Sequence, residues 1–239
     1  MGLQSEHEDL NSQYRSIINI AEQLKLPLIQ ILNQAELNSI NGLNSNNKNI
    51  EVSAEYAIKL IDNYLLSLKL ESSELKFKQE SVSISSILYD SAESLNRLAK
   101  QYSVKLELDL NSNLSPVIAN RIGLESAITS LGTSLIETLP AQEDSDNTLT
   151  LSSHKCRYGI VAGIYLKNTF ISSNLLKAGR SLMPITRQPI PNLSHTAGAG
   201  IFVADNIFRA MQLNLRTSRH NDLYGLGTVL KSNYQLHLI

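Results

Sequence analysis

Apolar residues recur every three or four positions through the first third of the chain. Leu10, Tyr14, Ile17, Ala21, Leu24, Leu28, Ile31 and Ala35 alternate spacings of four and three. That is a heptad seam, and it predicts one long amphipathic helix over 7–40. Pro27 lies inside it; lacking a backbone N–H, it predicts a kink. The polar run 41–49 reads as a turn. Ala54, Ala57, Ile61, Tyr64 and Leu68 then restart the helical period, predicting a second helix over about 50–70. Two such helices joined by a short polar loop form an antiparallel hairpin. Their apolar faces are too wide for one neighbour, so a dimeric four-helix bundle through residues 10–70 is expected.

From residue 77 the period changes repeatedly. Ser81–Ser85 reads as a short strand. Ile87–Tyr102 reads as a helix with Ile87, Ala92, Leu95, Leu98 and Ala99 on one side. Val104, Leu106, Leu108 and Leu110 alternate strictly, the mark of a half-buried strand. Val117 and Ala119 belong to another short strand. Arg121–Thr138 is a predicted helix whose apolar positions include Ile122, Ala127, Ile128, Leu131 and Leu135. Thr148–Ser152 and Ile160–Leu166 are predicted strands, 169–196 a long excursion or lid with three prolines, and Ile201–Met211 a helix. Leu213–Thr217 and Gly227–Lys231 close the pattern as strands. The expected fold class is therefore α+β: a helical-hairpin domain at 1–76, then a two-layer α/β sandwich at 77–239.

Composition narrows the function classes. The 239 residues hold 21 Lys+Arg against 22 Asp+Glu, a net charge of -1, which argues against a nucleic-acid binder with a broad basic face. One cysteine, Cys156, cannot form an intramolecular disulfide or a multi-cysteine metal site, and a reduced, cytoplasmic setting is expected. No apolar run approaches the ~20 residues of a membrane span. The polar, acidic N-terminus is unlike a secretory signal.

Three stretches carry a family resemblance. Ala21-Glu22-Gln23-Leu24-Lys25-Leu26-Pro27-Leu28 resembles the H-E-L-K-T-P-L stretch of sensor histidine kinases. Asn120 to Ser134 resembles their asparagine-box helix. Gly198-Ala199-Gly200-Ile201-Phe202-Val203 resembles their glycine box, and Gly225-Leu226-Gly227-Thr228-Val229-Leu230 their closing strand. The resemblance implies a dimerisation and phosphotransfer hairpin followed by an ATP-binding domain of the fold shared with gyrase, Hsp90 and MutL.

The polar groups that would handle phosphate are replaced. Glu22 stands at the phosphoacceptor histidine and Leu26 at the residue that orients water. Ser130 and Ser134 stand at the two asparagines that face the triphosphate and Mg²⁺. Asn168 stands at the adenine-binding aspartate, its two glycines absent, with Phe170 nearby. Mg²⁺ needs near-octahedral oxygen ligands in tight placement, which shorter hydroxyls supply poorly. Gly198 and Gly200 remain, either as a residual nucleotide loop at a helix N-terminus or as a site of close helix packing. Loss at separate catalytic elements on an intact apolar framework implies a folded pseudokinase. No catalytic residue and no metal site is assigned, and ATP/Mg²⁺ binding is expected to be weak or absent. The partners implied are a second copy of the chain and a response-regulator receiver domain or kinase. The alternative is a residual ATP-binding histidine kinase working through altered residues.

The histidines carry bland readings. His7 mimics the His-Glu dipeptide but falls in phase with the seam. His154 and Cys156 are two ligands at most. His195 precedes the glycine box, and His220 and His237 have no partner legible in the sequence.

Overall fold

The computed structural model describes residues 17–18, 21, 24–26, 28–38, 45–71, 75, 78–139, 147–167, 173–180 and 195–233. The chain divides into two compact units, Met1–Lys76 and Phe77–Ile239.

In the first unit the described residues up to 38 are helical, continuously over 28–38 (α1). Helix α2 is Ser45–Glu71. It begins about five residues before the expected start, inside the polar run. Ile18, Ala21, Leu65 and Leu68 form a buried cluster, with Ile61 and Tyr64 packed against it. Lys25 pairs with Asp62 across the hairpin. The predicted seam splits: Ala21 and Ala35 are buried, whereas Ile17, Leu24 and Ile31 are exposed. These three recur every seven residues and form one stripe that the hairpin leaves uncovered. Leu10, Tyr14 and Pro27 lie outside the described residues.

The second unit is a layer of helices on a five-stranded sheet. Its elements are β1 Glu80–Val82, α3 Ile84–Gln101, β2 Lys105–Leu110, β3 Val117–Ala119, α4 Arg121–Thr138, β4 Thr148–Cys156, β5 Gly159–Leu166, α5 Ser173–Arg180, α6 His195–Ala210, β6 Arg216–His220 and β7 Leu223–Leu230. Strands β1 and β3 form a small antiparallel pair; the large sheet has the order β2-β4-β5-β7-β6. Among the described strands only β2 and β4 pair in parallel. Helix α3 starts three residues before the expected Ile87 because Ser83 caps it, accepting from the Ser86 N–H. Helix α4 has the predicted bounds. Asn120 caps it, accepting from the Gly123 N–H at 2.8 Å and donating to the Lys78 carbonyl at 2.9 Å.

Register places Leu149, Leu151, Ile160, Ala162, Ile164, Leu166, Leu226 and Leu230 in one apolar layer, all buried. This layer packs against α3 and α4. The expected side of α3 is buried throughout. On α4, Ile122 is exposed instead. It shares a face with Glu125, Thr129 and Thr133, whereas Gly132 and Ser134 belong to buried faces. Leu108 on β2 is exposed too, because an edge strand has a neighbour on one side only. Among the described residues no helix is long and apolar enough to cross a membrane.

Candidate functional site

Ser130 and Ser134 lie four residues apart on α4, one above the other, and both are buried, at 2% and 1% exposure. Helix α6 covers them. A methyl group added at Gly200 would fall 2.2 Å from Ser134 Oγ and 2.4 Å from the Ser130 carbonyl oxygen. The two helices therefore touch through the Ser130 backbone and the Ser134 hydroxyl, a contact that only glycine permits. The expected helix start at Ile201 is corrected: α6 begins at His195, and Gly198 and Gly200 are helical residues rather than a loop ahead of the helix. Five apolar residues, Ile201, Val203, Ala204, Ile207 and Phe208, are buried along α6 and explain why the helix docks here.

Ser134 Oγ faces Gly200 and finds no hydrogen-bond partner among the described residues, whereas Ser130 meets α6 through its carbonyl oxygen. Of the other singled-out residues, Leu26 is helical and 62% exposed. Glu22, Asn168, Phe170, His7 and His237 lie outside the described residues. The structure thus brings together Ser130, Ser134 and Gly200, and keeps Leu26 in the other unit.

Two polar constellations were not legible in the sequence. Asp205, in the middle of α6, is 1% exposed. Arg180, at the end of α5, donates from Nε and Nη2 to its Oδ1 at 2.9 and 2.8 Å, and from Nη2 to the Leu215 carbonyl at 2.6 Å. Arg209 reaches Oδ2 at 2.7 Å. A buried carboxylate shared by two guanidiniums fixes α5, and with it one end of the expected lid, onto α6. The Asp205–Arg209 spacing of four is a readable helical pair; the Arg180 contact crosses 25 residues and has no local signal.

The second constellation joins strands that are not neighbours. The His154 and His220 rings stack with centroids 4.4 Å apart. His220 Nε2 lies 2.7 Å from Asp109 Oδ2. Tyr165, fully buried, hydrogen-bonds Ser218 at 3.1 Å; burial raises its pKa and the Ser218 contact opposes that. His154 has its pKa lowered, first by burial and then by the neighbouring His220, with Asp109 opposing. Among the described residues no group of three or more His, Cys, Asp or Glu is placed to hold a metal ion.

No family model matches the sequence, and no curated protein matches it. Solved structures do match. Full-length ShkA, determined in complex with AMPPNP, superposes with a TM-score of 0.60 at 12% identity, over 92% of this chain and 46% of ShkA. The chain therefore spans about half of ShkA's length. The Acinetobacter baumannii histidine kinase AdeS superposes with a TM-score of 0.54 at 17% identity, over 86% of this chain and 95% of the AdeS chain. The likeness is one of fold: a helical segment followed by the ATPase-type α/β layer of a histidine-kinase core.

Proposed function

We propose that this chain, which has the fold of a histidine-kinase core, is a pseudokinase of two-component signalling. It acts as a dimeric scaffold that engages a response-regulator receiver domain or a kinase partner. The observation that carries this reading is the contact of α6 with α4. The positions that the resemblance assigns to triphosphate and metal are buried serines beneath Gly200. A nucleotide approaching them meets a helix. ATP and Mg²⁺ are therefore expected to bind weakly or not at all, and signalling to depend on occupancy.

The dimer is supported by the stripe of Ile17, Leu24 and Ile31, exposed on the hairpin. A second hairpin burying these side chains would gain roughly 1.5–3 kcal/mol for each one fully covered. A shallow groove of about 440 Å³, lined by Leu28, Ile31, Ile50, Ala54 and Ala57, continues the same apolar surface. Sedimentation equilibrium should give a dimer, and Leu24→Glu with Ile31→Glu a folded monomer.

Calorimetry with ATP and Mg²⁺ tests the central reading. No saturable heat is expected; micromolar affinity that requires Mg²⁺ would favour a working, altered kinase instead. Pull-down with receiver domains tests the partner class, with the monomeric double variant as the control expected to lose capture.

A further inference from the structure

Strand β5 begins at Gly159 and ends at Leu166, about 23 Å away at 3.3 Å per residue. Leu166 leads to Asn168, the position that the resemblance gives to adenine recognition. The opposite end, where β4 reverses into β5, carries a different chemistry. Lys155, Cys156, Arg157 and Tyr158 sit in this reversal and, with Ser115, Lys231 and Ser232, line a cleft of about 460 Å³. Three lining residues are cations and none is an acid. All three cations are exposed. The whole chain carries a net charge of -1, so this positive cluster does not follow from a basic composition. Like charges gathered at one cleft repel one another, and a bound anion relieves that repulsion.

The lining also supplies hydrogen-bond donors. Ser115 and Ser232 bring hydroxyls, and an arginine fork matches phosphate oxygens in pairs. Arg157 lies 5.7 Å from the centroid of the Tyr158 ring, a contact that helps hold the guanidinium at the mouth. The volume lies within the roughly 300–1,000 Å³ of small-molecule sites and exceeds what one phosphate fills. We propose that this cleft binds a small polyanion carrying two or more phosphate groups, held by Lys155, Arg157 and Lys231, with Ser115 and Ser232 donating hydrogen bonds.

Cys156, the chain's single cysteine, lines the cleft and reports its occupancy. Its sulfur accepts the Tyr158 backbone N–H at 3.4 Å. The test is calorimetry of the full chain with pyrophosphate, in the absence of Mg²⁺ and at constant ionic strength, beside iodoacetamide alkylation of Cys156. One saturable site per chain is expected, with alkylation slowed as it fills. Lys155→Gln, Arg157→Gln and Lys231→Gln together should weaken binding about tenfold or more and abolish protection, while leaving the melting temperature unchanged. Parallel titrations with inorganic phosphate and with ADP distinguish a bare polyphosphate from a nucleotide as the source. No saturable binding to any of the three, or binding that survives the triple substitution, would overturn the assignment. A repeat titration with Mg²⁺ added, giving binding that appears only with the metal and survives the triple substitution, would likewise overturn it and move the site to the other end of β5.

Discussion

Gly200→Ala puts the α4–α6 contact to a sharp test, because two effects of opposite sign act on it. In an ordinary helix interior, replacing glycine by alanine stabilises by about 1 kcal/mol. Here the new methyl group would lie 2.4 Å from the Ser130 carbonyl oxygen and 2.2 Å from Ser134 Oγ. The hydroxyl can rotate away; the carbonyl belongs to the backbone of α4 and cannot move without the helix. Overpacking of this kind costs about 1–3 kcal/mol, and contact with backbone places it near the upper end. The net expectation is a loss of about 2 kcal/mol, with the sign set by the packing term. For a unit of this size that corresponds to a fall in melting temperature of about 4–8 °C. Urea denaturation followed by circular dichroism reads the same loss as a lower midpoint at unchanged slope. Ser134→Ala in the Gly200→Ala background removes one of the two close contacts and should recover part of the loss, not all. A Gly200→Ala protein as stable as the parent, or more so, would refute the reasoning, since that is the behaviour of a glycine with open space above it.

Three further outcomes follow from other parts of the fold. Arg180→Ala leaves Asp205 buried with Arg209 alone and should cost about 2–3 kcal/mol; Arg180→Lys should recover less than half, because a point charge cannot serve both Asp205 and the Leu215 carbonyl. Thermal denaturation reads this, and hydrogen exchange should rise first over 173–180. Tyr165→Phe removes the hydrogen bond to Ser218 from a fully buried ring and should cost about 1 kcal/mol in urea denaturation. The His154 pKa is lowered in the folded state from its ordinary 6.5, so the unfolded chain binds the proton more readily. Stability from this group is therefore present above pH 6.5 and is lost as pH falls below that value towards the folded pKa. His154→Phe, which keeps a ring against His220, should flatten that part of the pH–stability curve; an unchanged slope would contradict the assignment.

Much of the α/β layer was legible because its helices and strands bury one periodic face. Ile87, Ala92, Leu95, Leu98 and Ala99 announce α3, and all are buried. The apolar positions over Arg121–Thr138 mark α4, which has those bounds. Legibility failed where burial is two-sided or contacts are distant. Helix α4 is covered both by α3, at Gly132 beside Leu95, and by α6 at Ser130 and Ser134. Its buried positions therefore run nearly all round, and Ile122 cannot be sorted from them by periodicity. The first six residues of α6, which include two glycines, have no apolar repeat of their own, so the helix reads as starting at Ile201. Of the candidate site, the positions of Ser130, Ser134 and Gly200 were readable as motif remnants. That they meet is a fact of packing between α4 and α6, and no local spacing encodes it. The same holds for His220, whose partners Asp109 and His154 lie on other strands.

On the proposed function, the histidine-kinase fold is kept here without the groups that transfer phosphate. Incubation of the full chain with γ-labelled ATP and Mg²⁺, followed by acid and base treatment, addresses it most directly. The account predicts no incorporated label beyond a heat-denatured control. Label that survives base and is lost in acid, the signature of phosphohistidine, would contradict it.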